Sequence, residues 1–144
     1  MAIRPVLKKL KEEINTRIGP DVGTWRDDKY AKLLEGAAYD KAKQAGLRKY
    51  WRKHCVKLRP FDIPAGTRWV AKSSSGNCYG TIILDCKAIG LVNEVGYELL
   101  LDKPASQSDY CKDNQIPLQF HDDKVTLSTL PTEILEKIYN AIVR

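Results

Sequence analysis

CYGTIILDCKAI, residues 78–89, is the longest strand-like run in the chain, and its reading decides the rest. Taken as one strand, it places Ile82, Leu84 and Cys86 on one face and Ile83, Asp85 and Lys87 on the other, since successive side chains alternate. An acid and a lysine would then project together from an otherwise apolar strand. Two readings fit that arrangement: an exposed ion pair on a sheet, or half of a metal site acting on a phosphodiester.

Working outward, TRWVAK (67–72) alternates as a strand and SSSGN (73–77) reads as a hairpin turn, with a rival reading as an anion cradle. After the long run, GLVNEVG leads into YELLLD (97–102), a third strand, and FHDDKVTL (120–127) holds a short fourth. The first three form an antiparallel meander in this reading. KPASQSDYCKDNQIPLQ (103–119) is polar with two prolines and reads as a loop, and Asp122-Asp123 as a turn.

Upstream the period is helical. Residues 5–18 carry Val6 or Leu7, Leu10, Ile14 and Ile18 on one face, with Pro5 in the first turn and Gly19-Pro20 at the end. DVGTW (21–25) is a loop with Asp21 and Thr24 as caps. Residues 26–45 predict a second helix striped by Tyr30, Leu33, Leu34, Ala37 and Ala38. Gly46 breaks it or lets it run on to Cys55, and residues 47–54 give a short basic helix. RPFDIP (59–64) reads as an extended connector between its prolines. At the far end, STLPTEILEKIYNAIV is a helix capped by Ser128 or Thr129, with Pro131 in its first turn and Leu130, Ile134, Leu135, Ile138 and Ile142 as its stripe. The expectation is one α+β domain over 1–144: a basic helical part (1–59), then a three- or four-stranded, mainly antiparallel sheet with a closing helix (60–144).

The 144 residues fit one domain with a real core. No run of about 18 apolar residues exists, so a membrane span is not expected. The opening MAIRPVLKKLKEE is charged at once, which predicts a cytoplasmic or otherwise intracellular protein without a signal peptide. The cysteines, Cys55, Cys78, Cys86 and Cys111, form no CxxC pair and read as reduced, buried thiols. The rivals are two disulfides in a secreted effector, or an irregular zinc site of Cys78, Cys86, Cys111 and His121.

Net charge is +6 but uneven: residues 1–72 hold 18 Lys and Arg against 8 Asp and Glu, residues 73–144 only 6 against 10. A concentrated positive half suits a polyanion. No acid lies between Asp40 and Asp62, while Lys41, Lys43, Arg48, Lys49, Arg52, Lys53, Lys57 and Arg59 do, with Tyr50, Trp51 and His54 interleaved. Cations reaching phosphates release counterions and rings stack on unpaired bases, so this stretch predicts nucleic-acid contact, DNA or RNA, with Trp51 between rows of cations.

Pro60-Phe61-Asp62, followed by the apolar Thr81–Leu84 and then Asp85-Cys86-Lys87, resembles the PD-(D/E)xK nuclease superfamily over residues 30–90. That resemblance implies Mg²⁺ held by Asp62 and Asp85, Lys87 at the phosphate, and an upstream helical glutamate, Glu35, assisting. His54, His121 and Lys87 offer a weaker, metal-free ribonuclease reading. The segment LSTLPTEILEKIYNAI resembles the opening of an F-box on Leu130, Pro131, Glu133, Ile134, Leu135 and Ile138, which implies a protein partner at the C-terminal helix. The function expected is nucleic-acid binding, and within it the sharper hypothesis is Mg²⁺-dependent cleavage of a phosphodiester. The alternatives are a non-catalytic nucleic-acid-binding or assembly protein of viral or ribonucleoprotein type, and a protein-interaction module or secreted effector.

Overall fold

The computed structural model describes residues 5–19, 28–73, 76–94, 96–127 and 130–144. The expected loop caps Asp21 and Thr24, the expected helix caps Ser128 and Thr129, and the centre of the SSSGN turn lie outside the described residues.

The chain is α+β. Four strands, β1 (Val56–Ile63), β4 (Cys86–Asn93), β5 (Tyr97–Leu101) and β7 (Lys124–Thr126), form an antiparallel sheet in the order β1-β4-β5-β7. A second antiparallel sheet holds β2 (Arg68–Ser73), β3 (Gly76–Ile82) and β6 (Ser106–Ser108) in the order β2-β3-β6. Helices α1 (Pro5–Ile18) and α5 (Thr132–Ala141) close one face of the larger sheet, burying Leu7, Leu10, Ile14, Leu135 and Ile138 against Leu58, Leu91 and Leu99. Helices α2 (Asp28–Leu34) and α3 (Lys41–Lys53) close the other, where Tyr30, Leu47, Tyr50 and Trp51 meet Val92 and Leu100. Helices therefore cover the sheet on both sides, and the basic helical part shares its core with the strands.

Four expectations are corrected. The meander gives way to two sheets, because CYGTIILDCKAI is two strands. Ile82 ends β3 and Cys86 starts β4; between them Leu84 is 44% exposed, where an unbroken strand would have buried it. The kink is held by hydrogen bonds: Ile83 N–H donates to Ala105 O (2.7 Å), and Asp85 Oδ1 accepts from Ala65 N–H (2.8 Å). The helix expected over 26–45 is interrupted. Gly36, at φ +76°, ends α2 in a left-handed conformation, and Asp40 starts α3, its Oδ1 accepting from Ala42 and Lys43 N–H. Gly46 does not break α3. It admits the Leu33 side chain of α2, which a Cβ there would meet at 2.6 Å. The connector RPFDIP is the end of β1, bulged between Lys57 and Phe61 so that Pro60, with no N–H to give, sits in an edge strand. Finally, the loop over 103–119 contains β6 and α4 (Asp109–Asp113), the latter capped by Ser108.

The stripe of α5 is spent on the core. Leu135 and Ile138 are fully buried, Ile142 bridges to Leu58, and Val143 N–H donates to Lys57 O (3.0 Å). Of the apolar positions behind the F-box resemblance, Leu130, Leu135 and Ile138 are buried, Ile134 is half-buried and Pro131 is exposed.

In the second sheet Trp69 lies opposite Gly80, and a Cβ at Gly80 would come within 1.9 Å of the indole. Gly80→Ala should cost about 1–3 kcal/mol in urea unfolding by overpacking. A loss below roughly 0.5 kcal/mol would show that the ring yields.

Candidate nucleic-acid interface

Helix α3 is amphipathic in a way that sorts the basic stretch. Leu47, Tyr50 and Trp51 recur at i, i+3 and i+4 and turn inward. Trp51 is 2% exposed, donates its indole N–H to Tyr30 Oη (3.4 Å), and has the Lys124 ammonium 4.0 Å from its ring centre. Tyr50 stacks between Tyr30 and His54, at 4.6 and 4.2 Å between ring centres. The sheet's Val92 and Leu100 need cover, and these rings supply it. Trp51, expected between the cations as a base platform, is instead a core residue.

The cations stay outside. Lys41, Lys49 and Lys53 are exposed and make no hydrogen bond or ion pair with a described residue. Others are held by backbone oxygens: Lys43 by Glu35 O, Arg52 by Asp102 O (2.8 Å), Lys57 by Arg52 O and Arg59 by Asn140 O. A carbonyl positions such a group without cancelling its charge. Of the expected contact residues only Arg48 meets a carboxylate, its Nε 3.5 Å from Asp123. Ala42, Ala45 and Gly46 floor a depression of about 530 Å³ whose rim is Arg48, Lys49 and Arg52, with no acid in its lining. The small side chains of Ala42 and Ala45 let a ligand approach the helix backbone.

Beside this surface lies a cavity of about 460 Å³ that gathers Asp62, Asp85 and Lys87 with Asp102 and Lys103. The β1–β4 register sets Asp62 directly across from Lys87, and Lys87 Nζ lies 3.1 Å from Asp62 Oδ1. Asp85 does not pair with Lys87; it lies in the connection before β4 and caps the Pro64–Ala65 turn through Ala65 N–H. Asp102 clips the neighbouring strand, its Oδ1 accepting from Lys87 N–H (2.9 Å) and its own N–H donating to Lys87 O (2.9 Å). Glu35 is not in this cavity: it sits in the exposed turn after α2. Asp102 and Lys103 escaped the sequence reading, although they follow the apolar run YELLL as a polar pair and so carried a signal.

As donors for Mg²⁺ these residues are poorly arranged. Asp62 faces Lys87, Asp85 serves a backbone amide, and no three His, Cys, Asp or Glu side chains among the described residues gather closely enough to hold a metal ion. That statement covers Cys78, Cys86, Cys111 and His121 as well. All four cysteines are free; burial pushes the Cys86 thiol up to about 11 and raises that of Cys55, which disfavours the thiolate at both. His54 is stacked on Tyr50 and His121 pairs with Asp122 at 3.6 Å, so the two share no hydrogen bond with Lys87. The ends of SSSGN pair as a hairpin, Ser73 opposite Gly76. No helix among the described residues is long and apolar enough to cross a membrane.

Compared with family models, curated proteins and solved structures, the chain finds no match.

Burial, outweighing the pull of Arg48 and Lys124, pushes the Asp123 carboxyl up to about 6 from 3.8. The native state then binds more protons than the unfolded chain between these values, so stability falls as pH rises through that window, by at most about 3 kcal/mol. Asp123→Asn removes the titration. The stability of the unaltered protein relative to that variant should grow as pH drops from neutral towards 4, read from urea unfolding; a pH-independent difference would refute the assignment.

Proposed function

We propose that the chain binds nucleic acid along the outer face of α3 and the adjoining strand β1. One observation carries this reading: the cations of residues 41–59 stand outside the core, and all but Arg48 are either unpaired or held by neutral carbonyls. Their charges therefore add. A phosphate backbone lying on α3 releases a condensed counterion for each cation it meets, and the Ala42–Gly46 floor admits it closely. Tyr50 and Trp51 are buried and the half-buried His54 lies against Tyr50, so the contact is chiefly to sugar and phosphate and carries little sequence preference. The same chemistry serves DNA and RNA.

The double variant Lys49→Glu/Lys53→Glu changes only exposed side chains. In fluorescence anisotropy with a labelled oligonucleotide it should weaken binding at least ~10-fold and make the dependence of log K on log salt shallower by roughly 0.7 for each lost phosphate contact. Unchanged affinity and slope would remove the interface from α3.

Cleavage is the second reading, favoured by the convergence of Asp62, Asp85 and Lys87 in one cavity. Its test is separate. Purified protein should shorten an end-labelled strand with Mg²⁺ or Mn²⁺ but not with chelator, and Asp62→Ala, at an exposed side chain, should abolish the product. Binding that never yields product leaves the first reading standing alone.

A further inference from the structure

We infer that the α3 face is one end of a longer path for a single nucleic-acid strand, which continues over the acidic cavity and round the β1 edge to α5. The inference rests on the nucleic-acid reading above and adds its substrate class and two contact residues, Lys103 and Lys137.

Three depressions follow one another, the first two joined by a hydrogen bond and the last two by a shared lining residue. Arg52 rims the α3 depression and donates to Asp102 O, and Asp102 lines the acidic cavity beside Lys103. Asp62 lines that cavity and also a third depression, of about 500 Å³, between β1 and α5. There Arg59 and Lys137 line the depression together with Pro60 and the half-buried Phe61. Lys137 projects from the solvent face of α5, opposite the buried Leu135 and Ile138, and neither it nor Lys103 makes a hydrogen bond or ion pair with a described residue. Each depression thus presents at least one uncommitted cation. Only Asp62, Asp85 and Asp102 interrupt the sign, and Lys87 and Lys103 stand among them.

The shape of the path selects the ligand. Helix α3 lies on one face of the larger sheet and α5 on the other, so the route turns round an edge strand. Duplex DNA is stiff over about 50 nm and does not follow a turn on the scale of one small domain without a cost of several kcal/mol. A single strand bends freely, and the half-buried Phe61, lining a depression with Arg59 and Lys137, gives a base an aromatic surface.

The test compares Lys49→Glu, Lys103→Glu and Lys137→Glu, all exposed and each checked for unchanged circular dichroism, on a labelled mixed-sequence oligonucleotide, single-stranded and annealed to its complement. Expected for the single strand is a loss of at least ~3-fold for each variant, with the salt slope shallower by roughly 0.7 each. On the duplex only Lys49→Glu should weaken binding. If Lys49→Glu alone matters on both ligands, the extended path is wrong and the α3 interface survives. If Lys103→Glu and Lys137→Glu weaken duplex and single strand equally, the substrate class is wrong. If no variant changes binding, the path and the nucleic-acid reading fall together.

Discussion

The packing of Leu47, Tyr50 and Trp51 onto Val92 and Leu100 orients everything cationic on one side of this molecule. An α-helix has no free rotation about its axis once one stripe is buried. With Trp51 fully enclosed and its indole N–H donated to Tyr30, α3 is fixed, and Lys49 and Lys53 have only solvent to face. Burying one Trp and one Leu contributes on the order of several kcal/mol, more than the mutual repulsion of a few screened surface charges takes away. The basic face is stable because its opposite face is strongly apolar, and Lys124, lying over the Trp51 ring, joins that packing without reversing it.

A second constraint is the β1–β4 register. The bulge around Pro60 shifts the pairing so that Asp62 faces Lys87 and Ile63 faces Cys86. One residue of slip would bring Asp62 to the core face and Ile63 to solvent. The C-terminal segment pins the outer edge of the same strand, through Ile142 opposite Leu58 and Val143 bonded to Lys57 O. An edge strand so covered is a poor template for aggregation, with Arg59 inside the bulge and Asp62 just beyond it.

Elements with a complete local signal were legible in the sequence. Helix α1 has the extent its periodicity predicts, and the α5 stripe is buried as its spacing requires. Strand β2 matches the alternating run TRWVAK, and β5 and β7 lie within the other runs read as strands. What failed depended on distant partners. Nothing local in TIILDCK says that Ile83 N–H will find Ala105 O, twenty-two residues on, and break the strand there. Gly36 and Gly46 look alike in sequence, yet one ends a helix in a left-handed conformation and the other lets Leu33 in. The candidate site divides the same way. The positive run was plain from charge alone and the convergence of Asp62 with Lys87 from a motif, but the inward turn of Trp51 needed the sheet that covers it.

The carboxylates of the acidic cavity bear on which function leads. A surface shaped only to hold phosphates gains nothing from acids in its path, since each repels the ligand. Two of the three have structural duties that account for them: Asp85 holds the turn that ends the strand early, and Asp102 clips β4 to the loop after β5 through Lys87 N–H. Neither can be withdrawn without loosening backbone, so neither is a strong witness for chemistry. Asp62 differs. It is 84% exposed at its side chain and, among the described residues, pairs with Lys87 alone, an ion pair worth less than about 1 kcal/mol at such exposure. An acid that does so little for the fold, standing where two depressions meet on a cationic route, is the residue on which any catalytic reading must rest. A binding reading needs it only to be outweighed by Lys87, Lys103 and Arg59 around it, and that lesser demand puts binding ahead of cleavage.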